Sequence, residues 1–354
     1  MKLLKYLFYL LLIVLIGGAV YFGTQDGTYD ISESKTINAP TAIVFDKVND
    51  LTTWEEWGPW KKEDTTMTFS YGEVTKGEGA NYSWDGEMDG SLKTTNITPN
   101  KEILQDLTLL TPGGERNPKV YWNFEEIDGA TKVTWGMKGE HTFMDKVYYA
   151  FSGMDFDGDM KKMHVNGLMG IASAIEEDMK KYSIDVTGIA EHGGGYYMYV
   201  TTSSRAEDLG SKMGSMLGQI VNFMSQNNIQ QAGMPFTIYH ETDQNTGNFI
   251  FSSAIPVKER IITPSGSEVL CGYMEPTSAV KTVLTGNYEN LPETYEKAQT
   301  YIAEKSLIMD PAKKMFEVYA NDPGEFPNPA DWITEVYIPV FKDLRSNHDI
   351  IMPQ

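Results

Sequence analysis

Lys314–Tyr319 reads KMFEVY, and Met234–Tyr239 reads MPFTIY. Downstream, Tyr337–Val340 (YIPV) repeats Ala254–Val257 (AIPV) at a similar offset, roughly 80 residues. Both pairs are short, apolar and strand-like. Each half also places a helix between a first strand and its Phe-x-x-Tyr strand. In the first half, Ser204-x-x-Glu207 has the form of a capping box before Leu209, Met213, Leu217, Ile220 and Met224. In the second, Asn290 and Glu293 take those places before Tyr295, Ala298 and Ile302. Each repeat therefore reads strand–helix–strand–strand. Two such repeats are expected to pair about a pseudo-twofold axis with a groove between them. The duplicated unit covers 184–341, and a polar tail, 342–354, follows it.

Upstream the pattern changes. Residues 28–182 run as a strand ended by Pro40, a short helix over Ala42–Asn49, and a series of period-two stretches. These include Tyr82/Trp84, Val120/Trp122/Phe124 and Val133/Trp135/Met137, with Asp85-Gly86, Asp89-Gly90 and Asp128-Gly129 as turns. A long helix from His164 to Tyr182 closes the unit, its apolar positions three and four residues apart. The expected class is α+β: an antiparallel sheet gripping a long C-terminal helix around a cavity, then the duplicated unit.

Residues 1–25 are different again. Lys2 and Lys5 precede an uncharged run, and with Leu3 and Leu4 roughly 19 apolar or small residues reach Phe22, enough for a bilayer core. The cationic flank predicts an N-terminus in the cytoplasm and a single pass through residues 3–22, with both units outside it: periplasmic in a Gram-negative cell. A cleaved signal peptide is the alternative, since Gly17 and Ala19 form a small-x-small pattern. The apolar run continues through Val20, Tyr21 and Phe22, which favours the anchor.

The 354 residues suit two domains of roughly 150 residues each. Lys plus Arg number 29 against 49 Asp plus Glu, a net charge of -20 that would repel phosphate backbones, so no nucleic-acid partner is expected. One cysteine, Cys271, rules out an internal disulfide or a multi-thiolate metal site.

Ile37–Trp60, INAPTAIVFDKVNDLTTWEEWGPW, resembles the opening of the START-like helix-grip domains, the SRPBCC, polyketide cyclase and lipid-transfer superfamily. The resemblance is carried by Ile37, Ala39, Pro40, Val44, Phe45, Asp50, Leu51, Trp54, Trp57 and Pro59. It implies a hydrophobic cavity but no particular reaction. Trp54, Trp57 and Trp60 are expected to pack at its mouth, with ligand stacking as the other reading.

The duplicated unit resembles the gyrase-inhibitor-like (GyrI-like) effector-binding domain of AraC-type and multidrug regulators. TGNYENLPETYEKAQTYIAE (285–304), FEVYANDP (316–323) and WITEVYIPV (332–340) carry the likeness. It implies an aromatic cleft between the halves with the Glu of the last strand inside it. By position that is Glu335, with Tyr337, Tyr319 and Trp332 beside it and Phe236 and Tyr239 from the other half. A carboxylate among rings attracts lipophilic cations by charge and cation–π attraction; desolvated, it serves as a general acid or base. The first repeat has Ser252 in that register, so a symmetric pair of acids is not expected.

Other constellations carry less. Asp155, Asp157 and Asp159 begin like a calcium loop, but Met160 replaces the turn glycine and Asn166 the closing Glu. Gly193-Gly194-Gly195 lacks a phosphate-loop continuation. The five histidines show no zinc spacing, and no GxSxG elbow occurs. Cys271 reads as a small strand residue. No metal and no cofactor are expected. The favoured reading is a membrane-anchored extracytoplasmic protein that binds hydrophobic or cationic small molecules, in the manner of multidrug-binding domains. A hydrolase of reactive small molecules with Glu335 as general acid/base is the alternative. An envelope interaction protein whose pockets are simply cores is the third.

Overall fold

The computed structural model describes residues 2–111, 113–243, 247–321 and 323–341; the tail expected over 342–354 lies outside them. The chain divides into two compact units, Met1–Asp178 and Met179–Gln354. Each is built on one antiparallel eight-stranded sheet, so the fold is α+β.

The first unit begins with helix α1 (Lys2–Thr24), whose Leu3–Thr24 stretch is long and apolar enough to cross a bilayer, with a mean hydropathy of 2.3. It continues through β1 (Thr28–Ile37), α2 (Thr41–Asn49), α3 (Trp54–Trp57), α4 (Trp60–Glu63), β2 (Thr68–Tyr71), β3 (Asn81–Asp85) and β4 (Gly90–Thr98). Then come β5 (Glu102–Thr111), β6 (Gly114–Arg116), β7 (Lys119–Ile127), β8 (Ala130–Glu140), α5 (Phe143–Ser152) and α6 (Phe156–Met179). The sheet order is β1-β8-β7-β5-β4-β3-β2, with β6 on β5. Period two sets its inner face: β7 buries Val120, Trp122 and Phe124, and β8 buries Val133, Trp135 and Met137. Asp128 (φ 49°) and Gly129 (φ 82°) make the tight β7–β8 turn, where two left-handed residues match the strand twist.

Helix α6 differs from its expected span at both ends. Its start is earlier because Asp155 begins it: the carboxylate accepts the Gly158 N–H at 3.1 Å, so the acidic triplet opens a helix. Its end is earlier because Tyr182 is engaged elsewhere, donating its hydroxyl to Glu293 at 2.7 Å. Along α6, His164, Gly167, Leu168, Ile171 and Ile175 are buried. Gly167 and Gly170 let the helix come close: a Cβ at 167 would strike the Trp135 ring, and one at 170 the Trp57 carbonyl.

The second unit comprises β9 (Ser183–His192), β10 (Gly195–Arg205), α7 (Leu209–Gln226), β11 (Phe236–Asp243) and β12 (Asn248–Val257). Its second half is β13 (Leu270–Met274), β14 (Thr277–Thr285), α8 (Leu291–Glu304), β15 (Phe316–Tyr319) and β16 (Ile333–Pro339). The sheet order β13-β10-β12-β11-β15-β16-β14-β9 is symmetric about the β11–β15 pair, exchanging β10 with β14, β12 with β16 and β13 with β9. Each repeat has the expected strand–helix–strand–strand order, preceded by one further strand. Those leading strands are exchanged: β9, from the first repeat, pairs with β14 of the second, and β13 pairs with β10 of the first. Gly193–Gly195 lies at the β9–β10 turn, where Gly194 (φ 66°) meets the Met274 backbone too closely for a side chain.

The two expected capping boxes do not form. Ser204 lies in β10 and donates to the Arg205 carbonyl, and Asp208 precedes α7 without a side-chain cap. Before α8, Asn290 donates to the Asn287 carbonyl, while Glu293 is taken by Tyr182 and Lys297. In both repeats a short 3-10 turn ahead of the helix displaces the cap geometry.

Candidate functional site

Register separates the expected site residues between two faces of the second sheet. Phe316 lies opposite Tyr337, and Val318 opposite Glu335. Alternation then puts Phe316, Val318, Glu335 and Tyr337 on one face and Glu317, Tyr319 and Val336 on the other. Phe236, paired with Val318, shares the first face. Tyr239 and Tyr319 share the second, which is the face covered by α7 and α8: Met198, Ile255 and Val257 pack with Ile220 and Met224, and Val280, Val336 and Ile338 with Ala298 and Ile302.

On the first face Glu335 already has a cation. Lys281 Nζ lies 2.8 Å from Glu335 Oε1, both side chains being 23% exposed, and Tyr337 donates its hydroxyl to Oε2 at 2.7 Å. Burial works to raise the Glu335 carboxyl, but Lys281 and Tyr337 outweigh it and hold the group below its ordinary value. The Phe316 and Tyr337 rings stack at 4.7 Å and 7°, and His192 packs edge-on to both. In the equivalent register of the first repeat, Ser252 meets His240 Nε2 at 2.6 Å and Thr201 Oγ1 at 2.7 Å. The expected asymmetry is therefore present, as a hydroxyl network opposite an ion pair.

On the second face lies a carboxylate that the sequence reading passed over. Glu317, 1% exposed, accepts hydroxyls from Tyr295 (2.8 Å), Tyr239 (3.0 Å) and Tyr319 (3.2 Å). It sits next to the symmetry line, opposite Thr237, whose Oγ1 lies 3.0 Å from the Tyr319 hydroxyl oxygen. Helix α8 contributes Tyr295; α7 contributes Met213, whose Sδ is 4.0 Å from the Tyr319 hydroxyl. No basic side chain pairs with Glu317 among the described residues. Burial raises its carboxyl above the ordinary 4.5, and the three tyrosine hydrogen bonds oppose that only in part. The same burial, reinforced by the Glu317 charge, pushes Tyr239, Tyr295 and Tyr319 well above the ordinary phenol value. Toward the rim, Tyr288 packs against Tyr319 (5.8 Å) and Trp332 (4.8 Å), and Trp332 donates to the Phe326 carbonyl.

Of the expected residues, then, Tyr239, Tyr319 and Trp332 belong to the Glu317 side, while Glu335, Tyr337 and Phe236 lie on the opposite face. Glu317 had a signal in sequence: it stands two residues before Tyr319, hence on its face, where the first repeat has Thr237. Tyr295 and Lys281 had none, since only register brings them in.

Two of the three expected mouth tryptophans of the first unit, Trp54 and Trp57, are core residues instead, while Trp60 is half-buried. Trp54 and Trp57 are 3% and 2% exposed and pack with Trp60, Tyr82, Trp122 and Trp135, because α3 turns them inward onto β7 and β8. Cys271 lies half-buried in β13, its Sγ accepting the Ile261 N–H at 3.3 Å. Among the described residues no group of three His, Cys, Asp or Glu is placed to hold a metal ion.

No known family model and no curated protein matches the chain. Among solved structures it is similar to the EcmrR C-terminal domain, with 15% identity over 46% of this chain and 98% of that one, at a TM-score of 0.38. EcmrR in a DNA complex gives 14% identity over 57% and 78%, at 0.39. Protein CV1439 from Chromobacterium violaceum gives 11% over 42% and 96%, at 0.33. The chemistry below rests on this chain's own residues.

Proposed function

We propose that this chain is a membrane-anchored, extracytoplasmic binding protein for hydrophobic or lipophilic-cation small molecules, and that Glu317 is its recognising acid. One observation carries this reading. A carboxylate is buried at the junction of the two repeats, ringed by three tyrosine hydroxyls, without a basic partner among the described residues. Burying an uncompensated charge costs several kcal/mol in order of magnitude, so the arrangement spends stability on a group that a cation would satisfy. Tyrosine faces add cation–π attraction. Helix α7, which brings the adaptable Met213 to the Tyr319 hydroxyl, carries Gly214 and Gly218, each about 1 kcal/mol worse than Ala in a helix interior, so the cover on this side is weakly held.

Glu335 suits this task less, since Lys281 already neutralises it. Its lowered pKa also makes it a weak base, so binding is favoured over hydrolysis. The proposed anchoring has support beyond the length of α1. Helix α5 points Phe143, Met144, Tyr148 and Phe151 outward, Phe151 at 79% exposure, and Phe22 at the end of α1 packs 6.5 Å from Phe143 and 6.2 Å from Phe151. An exposed aromatic stripe beside the end of a span suits a membrane surface.

Binding is tested with tetraphenylphosphonium and the full chain in nanodiscs. Glu317→Gln is expected to weaken affinity by about tenfold or more, equivalent to ~1.4 kcal/mol, while Glu335→Gln leaves it nearly unchanged. Equal affinity for Glu317→Gln and the parent would sink the assignment. Topology is tested by labelling Lys101→Cys, in a Cys271→Ser background, with an impermeant maleimide on intact cells; protection of that thiol would contradict the extracytoplasmic placement.

A further inference from the structure

The first unit holds a second polar cluster that the tyrosine site does not use. Of the seven tryptophans, four have bonded indole N–H groups: Trp54 to Val48 O, Trp84 to Met88 O, Trp122 to Gln105 Oε1 and Trp332 to Phe326 O. The other three, Trp57, Trp60 and Trp135, have none among the described residues, although each Nε1 is buried. These three pack on one another at centroid distances of 5.6, 6.1 and 6.3 Å. Trp135 also packs at 4.7 Å against His164, which is 0% exposed and has neither ring nitrogen bonded. Five of the eight unpartnered buried side-chain atoms among the described residues thus belong to one chain of contacting side chains, three tryptophans and His164 on Trp135.

Such groups are rarely left unpaired, each costing about 1–3 kcal/mol when orphaned. Sheet, α3–α4 and α6 all converge to hold them there. Gly167 and Gly170 remove the side chains that would keep α6 from Trp135 and from the Trp57 backbone. Burial lowers the His164 pKa to about 4, so its imidazole is neutral, with one nitrogen donating and the other accepting. The set therefore offers four N–H donors and one acceptor, packed against the rings of Trp54 and Trp122.

We propose that Trp57, Trp60, Trp135 and His164 form a binding site for the carboxyl group of a small apolar acid. The carboxyl oxygens accept from the indoles and from one imidazole nitrogen. The acid's hydrocarbon part lies among the surrounding rings. Trp60, half-buried on the short α4, is the member that solvent reaches, so entry is past its ring.

The test uses the full chain in nanodiscs, labelled with 15N at the tryptophan indoles and titrated with hexanoate, with hexanol as the control for the apolar tail. The indole signals of Trp57, Trp60 and Trp135 should move downfield and saturate, while the four bonded indoles stay in place. His164→Leu should weaken hexanoate by about tenfold, the equivalent of one lost buried hydrogen bond. The unmoved signals of Trp84 and Trp122 would verify that this variant is folded. Trp60→Phe, which keeps the packing and removes one donor, gives a second reading if His164→Leu fails to fold. Signals that ignore hexanoate, that shift equally for all seven indoles, or that respond as strongly to hexanol would overturn the proposal. So would three indoles already hydrogen-bonded by ordered water only and unmoved by the acid.

Discussion

Each unit buries a cluster of aromatic side chains with polar tips, and the two clusters solve the same problem in opposite ways. In the second unit, Tyr239, Tyr295 and Tyr319 turn every hydroxyl toward Glu317. In the first, Trp57, Trp60 and Trp135 leave every indole N–H without a partner among the described residues, beside a histidine in the same condition. One cluster is closed around an acid of its own; the other presents donors with no acid inside it. Aromatic content alone therefore says little about a pocket; what matters is where its polar atoms are spent.

The largest effect expected on this contrast is structural. Trp57→Ala should cost the first unit about 3–5 kcal/mol, as large core truncations do, read by denaturant unfolding followed by tryptophan emission. Six of the seven tryptophans lie in that unit, so the signal reports it.

The sharper comparison removes single polar atoms. Tyr239→Phe deprives Glu317 of a donor and should cost about 1–3 kcal/mol, whereas Trp60→Phe removes an unpartnered N–H and should cost nothing or stabilise, by up to about 1–3 kcal/mol. Equal costs for the two variants would erase the distinction drawn between the clusters.

Acid and base provide the third comparison, because the two clusters respond with opposite signs. Folding lowers the His164 pKa from 6.5 to about 4. As pH falls through that window the unfolded chain takes up a proton that the folded one refuses, so the first unit loses stability, on the order of 3 kcal/mol. Folding raises the Glu317 carboxyl above 4.5. As pH rises beyond that value the unfolded chain releases a proton that the folded one keeps, so the second unit loses stability upward. Stability measured against pH for His164→Leu and Glu317→Gln should show the acid slope flattened in the first variant and the upper slope flattened in the second. A Glu317→Gln profile parallel to that of the parent would argue against a raised carboxyl.

The smallest effect concerns the ion pair on the opposite face. Lys281→Met frees Glu335 from its cation and should raise its carboxyl, with only a modest stability change, about 1 kcal/mol for a partly exposed pair. If this variant gained affinity for tetraphenylphosphonium, the recognising acid would have moved from Glu317 to Glu335.

Much of this architecture was legible in the residues. Alternation at Val120–Phe124 and Val133–Met137 located β7 and β8, and the KMFEVY/MPFTIY pair exposed the duplication. The first strands of the repeats were not legible as repeats, because β9 and β13 share no motif and take their places only through pairing with the other half. The capping boxes matched in spacing but not in backbone, since short 3-10 turns intervene. Residue choice at the site failed for a specific reason. The resemblance pointed to the acid of the last strand, while strand parity sends Glu335 and Tyr319 to opposite faces. Lys281 then neutralises the first of these acids, a pairing that needs the β14–β16 register.

The exchanged leading strands have a consequence for how the chain is made. During synthesis β9 emerges with no mate until β14 follows, about 90 residues later, which is roughly 5–20 s at ordinary elongation rates. Throughout that interval an unpaired strand edge is available to neighbouring chains. The same exchange means that neither repeat can be excised cleanly: deleting one takes away the outermost strand of the other. The sheet is therefore closed reciprocally, each half lending the other the strand that finishes its edge.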